Sequence, residues 1–95
     1  MIRLSVMYPV TEGATFDHDY YRDKHVPLAV KTWGVSRVEI DKGINGPYVA
    51  AVHLFFDSME AMAAAMGVEG TGDIIADVAN YTTITPVQQI AEIVD

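Results

Sequence analysis

The first eight residues alternate. Ile2, Leu4, Val6 and Tyr8 share one face, and Arg3, Ser5 and Met7 the other. Period two predicts a strand. Pro9 to Ala14 reads as a loop punctuated by Gly13. From Phe16 to Trp33 the pattern turns helical, with Thr15 or Asp17 placed to cap it. On such a helix Tyr21, His25, Leu28 and Thr32 line one stripe, and Phe16 and Tyr20 an adjacent one. Pro27 removes a backbone donor, which predicts a kink or break near Val26. Gly34 ends the segment. Residues 36–42 alternate again, as in an edge strand or one with a wet side. Residues 48–56 are almost wholly apolar and predict a central strand buried on both faces, with His53 its only strongly polar member. Asp57 and Glu60 read as a capping box. The helix they open carries Met59, Met62, Ala63 and Met66 as its stripe and stops at Gly67. A short helix at 73–78 and a last strand at 86–94 complete the chain.

The element order is β-α-β-β-α-α-β. It predicts one domain over residues 1–95, of α+β class, with the ferredoxin-like βαββαβ arrangement and an antiparallel sheet. Two helices cover one face of such a sheet. The other face needs cover if the 48–56 strand is apolar on both sides. A second copy of the same sheet is the simplest cover, so a homodimer through the sheet face is expected.

Composition narrows the partners. Six Lys and Arg against thirteen Asp and Glu give a formal net charge of −7. Nucleic acid and anionic membrane surfaces are poor partners for such a chain. There is no cysteine, hence no thiolate chemistry and no disulfide. No stretch approaches the ~20 apolar residues needed to span a bilayer. The opening MIRLSVMYPV lacks the form of a signal peptide, and a cytoplasmic location is expected.

Four blocks carry a family resemblance: LSVMYP, FDHDYYRDKHVPL, PYVAAVHLFFDSMEAM and ADVANYTTITPVQQIAEI. Together they resemble the EthD family along most of the chain. The resemblance implies a dimeric α/β barrel with a cavity between each sheet and its helices or within the barrel. The function expected is binding of a small apolar or aromatic organic molecule, with transformation of it, free of any cofactor, as the enzymatic form of that reading. The chemistry implied is proton transfer, as in an isomerase, or cofactor-free oxidation. The other reading is a non-catalytic carrier or accessory protein of a degradative oxygenase system.

His25 is the first candidate for chemistry, as a general acid or base. Tyr21, one turn earlier, is placed to orient it or to bind a ligand oxygen. Alternatively, His25 bonds a carbonyl freed by Pro27. His53 either projects into the same cavity or is a hydrogen-bonded core or interface residue. Tyr81, Trp33 and Tyr20 are the remaining ligand-binding candidates. Asp77 and Asn80 read as cap and turn residues, and His18 as a surface residue. Two histidines with Asp77 or Glu60 would make a facial metal triad, but no spacing supports one, so no metal or cofactor is expected.

Overall fold

A computed structural model describes residues 1–94. The elements are β1 (Ile2–Pro9), α1 (His18–Tyr20), a π-helical turn (Tyr21–His25), α2 (Val26–Trp33), β2 (Arg37–Lys42), β3 (Tyr48–Phe56), α3 (Met59–Met66), α4 (Thr71–Asp77), a 3-10 turn (Val78–Asn80) and β4 (Val87–Glu92). The sheet order is β2-β3-β1-β4, all neighbours antiparallel. This is the ferredoxin-like α+β fold that the element order predicts.

The helix termini obey local chemistry. Asp17 caps α1, its Oδ1 accepting the Tyr20 amide at 3.0 Å. Gly34, at φ 66°, closes α2 in the left-handed conformation that only glycine adopts cheaply. At α3 the cap is Ser58, not Asp57: Ser58 Oγ accepts the Ala61 amide at 3.1 Å. Ser58 holds the extended cap backbone, which leaves Asp57 one residue outside the helix.

Pro27 does not end the helix. Its effect is absorbed by the π turn just before it, closed by the Val26 N–H donating to the Tyr21 carbonyl. A π turn holds one more residue than an α turn, so the inward stripe slips by one. Tyr21 and His25 remain on it, but Ala29 and Trp33 follow in place of Leu28 and Thr32. Ala29 is buried and Leu28 only half-buried.

Strand parity decides what the sheet presents. Ile2, Leu4 and Tyr8 of β1, with Ala50, Val52, Leu54 and Phe56 of β3, pack beneath the helices. Arg3, Ser5 and Met7 pair with Phe55, His53 and Ala51 on the opposite, open face. That face is less greasy than the sequence of β3 implies, because its alternate residues include Ala51 and His53 and because Arg37 lies over the Phe55 ring at 4.4 Å.

One end of the core is aromatic. The Asp17 amide donates to the Tyr81 carbonyl at 2.8 Å, and Phe16 bridges to Thr82. These bonds bring Tyr81 against Tyr8, Tyr21 and Phe16, with ring centroids 5.0–6.0 Å apart. Burial pushes the pKa of Tyr8, Tyr21 and Tyr81 above the ordinary 10.0. Above about pH 10 the unfolded chain therefore loses tyrosyl protons that the folded chain keeps. Stability should fall as pH rises from there, and tyrosinate absorbance from these three rings should appear only with unfolding. Smooth ionisation of all the tyrosines near pH 10, with the circular dichroism unchanged, would contradict this packing.

Candidate functional site

The π turn and the end of α4 meet at a histidine–carboxylate pair. His25 Nδ1 lies 2.9 Å from Asp77 Oδ2, with side chains only 8% and 15% exposed. A carboxylate only accepts, so Nδ1 carries a proton, and in the neutral tautomer Nε2 is the ring's acceptor. Among the described residues Nε2 has no hydrogen-bond partner, yet it is not among the polar atoms sealed off by protein. Asp77 is held in turn. Tyr20 Oη donates to its Oδ1 at 2.7 Å, and Asn80 Nδ2 donates to the same oxygen at 2.9 Å. Burial raises the Asp77 pKa, but the hydrogen bonds from Asn80, Tyr20 and His25 outweigh it and hold the carboxyl below its ordinary value.

His25 opens onto a cavity of about 380 Å³ between helices and sheet. Val6, Val52 and Leu54 form its floor. Val26, Ala29 and Trp33 of α2 form one wall, and Ile74, Ile75 and Val78 the other. Pro86 and Gln88 close the β4 side. Tyr8 and Tyr21 stand beside His25 at the polar end. The Tyr21 and His25 rings are stacked at 5.5 Å and 16°. Trp33 is oriented by its indole N–H, which donates to Thr71 Oγ1 at 3.0 Å.

The sequence candidates separate here. His25, Tyr21 and Trp33 share the cavity. Tyr81 stands behind His25, its ring 4.5 Å away and its hydroxyl 2.6 Å from that of Tyr8. Tyr20 touches Asp77 rather than the cavity. His53 is on the other face of the sheet, since strand alternation turns it away from its neighbours Val52 and Leu54. There its Nδ1 meets Ser5 Oγ at 2.7 Å and its Nε2 meets Asp41 Oδ2 at 2.9 Å. His25 bonds no carbonyl freed by Pro27; the π turn leaves its ring to Asp77.

Asp77 and Tyr8 are the members that the sequence reading did not single out for chemistry. Asp77 had a signal: it falls one turn after Ile74, on the buried stripe of α4, where a carboxylate requires partners. Among the described residues no three His, Cys, Asp or Glu side chains converge as a metal-holding group. Nor is any helix long and apolar enough to cross a membrane.

The depressed carboxyl has a measurable consequence. Asp77 stabilises the fold above its unfolded value, near 3.8, and that contribution is lost as pH falls through the lower folded value. Asp77→Asn should therefore be less stable than the parent at neutral pH, with the gap closing below pH 3.8. Parallel melting curves of the two proteins across pH 2–7 measure it; a constant gap would contradict the pairing.

No protein-family model and no curated protein matches the chain. Solved structures do. An EthD-like protein from Ralstonia eutropha JMP134 is 43% identical, with a TM-score of 0.90; the match covers 99% of this chain and 92% of that one. An EthD family protein from Bacillus halodurans C-125 is 18% identical at a TM-score of 0.78, covering 99% of each chain. A dimeric ferredoxin-like protein of unknown function from Thermobifida fusca YX is 14% identical at 0.64, covering 97% of this chain and 90% of that one. The last two show likeness of fold alone. At 43% identity over nearly its full length, the chain belongs to the EthD-like family.

Proposed function

We propose that this protein binds a small apolar or aromatic molecule in the helix–sheet cavity and that His25 accepts a proton from it. The observation that carries this reading is the unpartnered Nε2 on the wall of an apolar cavity, with Nδ1 committed to Asp77. Apolar walls supply the binding energy and a few polar heads the orientation. Asp77 fixes the tautomer and compensates the imidazolium formed when the proton arrives. Tyr20 and Asn80 position Asp77.

Two variants separate binding from chemistry. Ala29→Trp fills the cavity and should abolish binding of a simple aromatic such as toluene, followed by shifts of the Val52 and Leu54 amides in NMR. His25→Gln should leave that binding within a few-fold and remove proton transfer to any turned-over ligand. Unchanged amide shifts in the parent at saturating toluene would refute the cavity reading. Turnover that survives in His25→Gln would remove the base assignment, and binding without any turnover in the parent would leave a carrier.

The working unit of this reading is a homodimer joined through the open face. The rows of that face support it. Arg37, Phe55 and Arg3 lie in register, and Asp41, Ala51 and Met7 lie in register four residues along each strand. A two-fold axis through the intervening row of Glu39, His53 and Ser5 lays the basic row of one copy on the acidic row of the other, the self-complementarity an isologous contact requires. Arg3 Nε is buried without a partner, a donor that such a contact could satisfy. Ala51→Arg plants a long cation in the middle of this face and away from the helix-side core. It should convert a dimer to a monomer in sedimentation while leaving melting of the subunit nearly unchanged. A parent protein that sediments as a monomer at micromolar concentration would overturn the dimer.

A further inference from the structure

The polar end of the cavity holds hydroxyl protons that no acceptor meets. Tyr8, Tyr21 and Tyr81 bring three hydroxyl protons together. Only one hydrogen bond joins them, between the Tyr8 and Tyr81 oxygens at 2.6 Å. Tyr21 Oη is buried and has no partner in hydrogen-bond geometry among the described residues. That bond uses one of the three protons, so the other two O–H groups meet no acceptor among the described residues. A buried donor without an acceptor is costly, and a ligand oxygen would relieve it.

The rest of the lining limits what that oxygen belongs to. No Lys or Arg lines the cavity, so a molecule entering as an anion would meet no cation. The tyrosines are donors rather than bases, because burial keeps them protonated. His25 Nε2 is the one base at this end. A neutral ligand that becomes negative on oxygen only when His25 takes its proton would use both the unpartnered hydroxyls and the imidazole.

Building on the cavity-and-base reading above, we infer that the ligand is a neutral one- or two-ring ketone whose enolate oxygen is held by the hydroxyls of Tyr8 and Tyr21. In the step, the C–H bond next to the carbonyl breaks and its proton goes to His25 Nε2. The bonding pair forms the carbon–carbon double bond, and the carbonyl π pair moves onto oxygen, facing the tyrosine O–H groups. Return of the proton from His25 to the same or a conjugated carbon gives exchange or isomerisation. No oxidant or reductant is consumed.

Two probes test this on the intact protein. 4-Nitrophenol carries an ionisable oxygen on a ring, and its phenolate form is read directly by colour. 4-Nitroanisole has the same shape and cannot ionise. Bound 4-nitrophenol should ionise at lower pH than the free compound. Tyr21→Phe and Tyr8→Phe should each weaken phenolate binding about tenfold or more, as expected for a lost charge-assisted hydrogen bond, without affecting 4-nitroanisole. In heavy water the protein should also accelerate deuterium uptake beside the carbonyl of 2-tetralone, and His25→Gln should abolish it. If both nitro compounds bind but the phenol ionises as it does in solution, the cavity reading survives and the enolate inference fails. Phenolate binding without tetralone exchange would make the ligand a phenol and overturn the ketone. If neither nitro compound binds, both readings fall together.

Discussion

The bond from the His25 ring to the Asp77 carboxylate is the contact on which the site depends. It joins residues 52 positions apart and ties the π turn to the end of α4. An imidazole this buried would be costly without a partner, and Asp77 supplies one. The same bond sets which nitrogen carries the proton, so structural compensation and choice of tautomer come from one contact. Asp77 can serve because Tyr20 and Asn80 fill its other oxygen. The carboxylate stays ionised, and the ring stays oriented.

The π turn makes this arrangement possible. Pro27 cannot donate, and the helix accommodates it by taking one extra residue into the preceding turn. The extra residue moves the inward stripe onto Ala29 and Trp33. Ala29 is small and leaves space above the sheet, while Trp33 borders that space with a ring fixed by Thr71. A regular helix would have set Leu28 and Thr32 there. The backbone irregularity is therefore part of how the cavity is shaped.

β3 serves two environments at once. Its even-numbered residues Val52 and Leu54 floor the cavity, and its odd-numbered residues Ala51, His53 and Phe55 belong to the open face. The Ser5–His53–Asp41 chain on that face is fully hydrogen-bonded through both ring nitrogens. His25, with one nitrogen bonded and one without a partner, is the opposite case. That difference, rather than residue type, separates the two histidines.

The sequence alone determined the strands, the two helical regions and the ferredoxin-like order, because periodicity and turn chemistry act over a few residues and survive any packing; it made the family legible in four blocks of residues. It also singled out Tyr21, His25 and Trp33, whose chemistry is conspicuous on a helix. It left the place of His53 open, since a strand apolar on both faces does not reveal which parity meets the helices. It read Asp77 as a cap, because a carboxylate shows its role only when its partners arrive from distant elements. The slip from Leu28 to Ala29 was also out of reach, because whether a proline breaks a helix or is absorbed in a π turn depends on what the helix packs against. Tertiary structure decided these points because they are relations between segments: Tyr20, His25 and Asn80 acquire a common purpose only when the fold sets all three around one carboxylate.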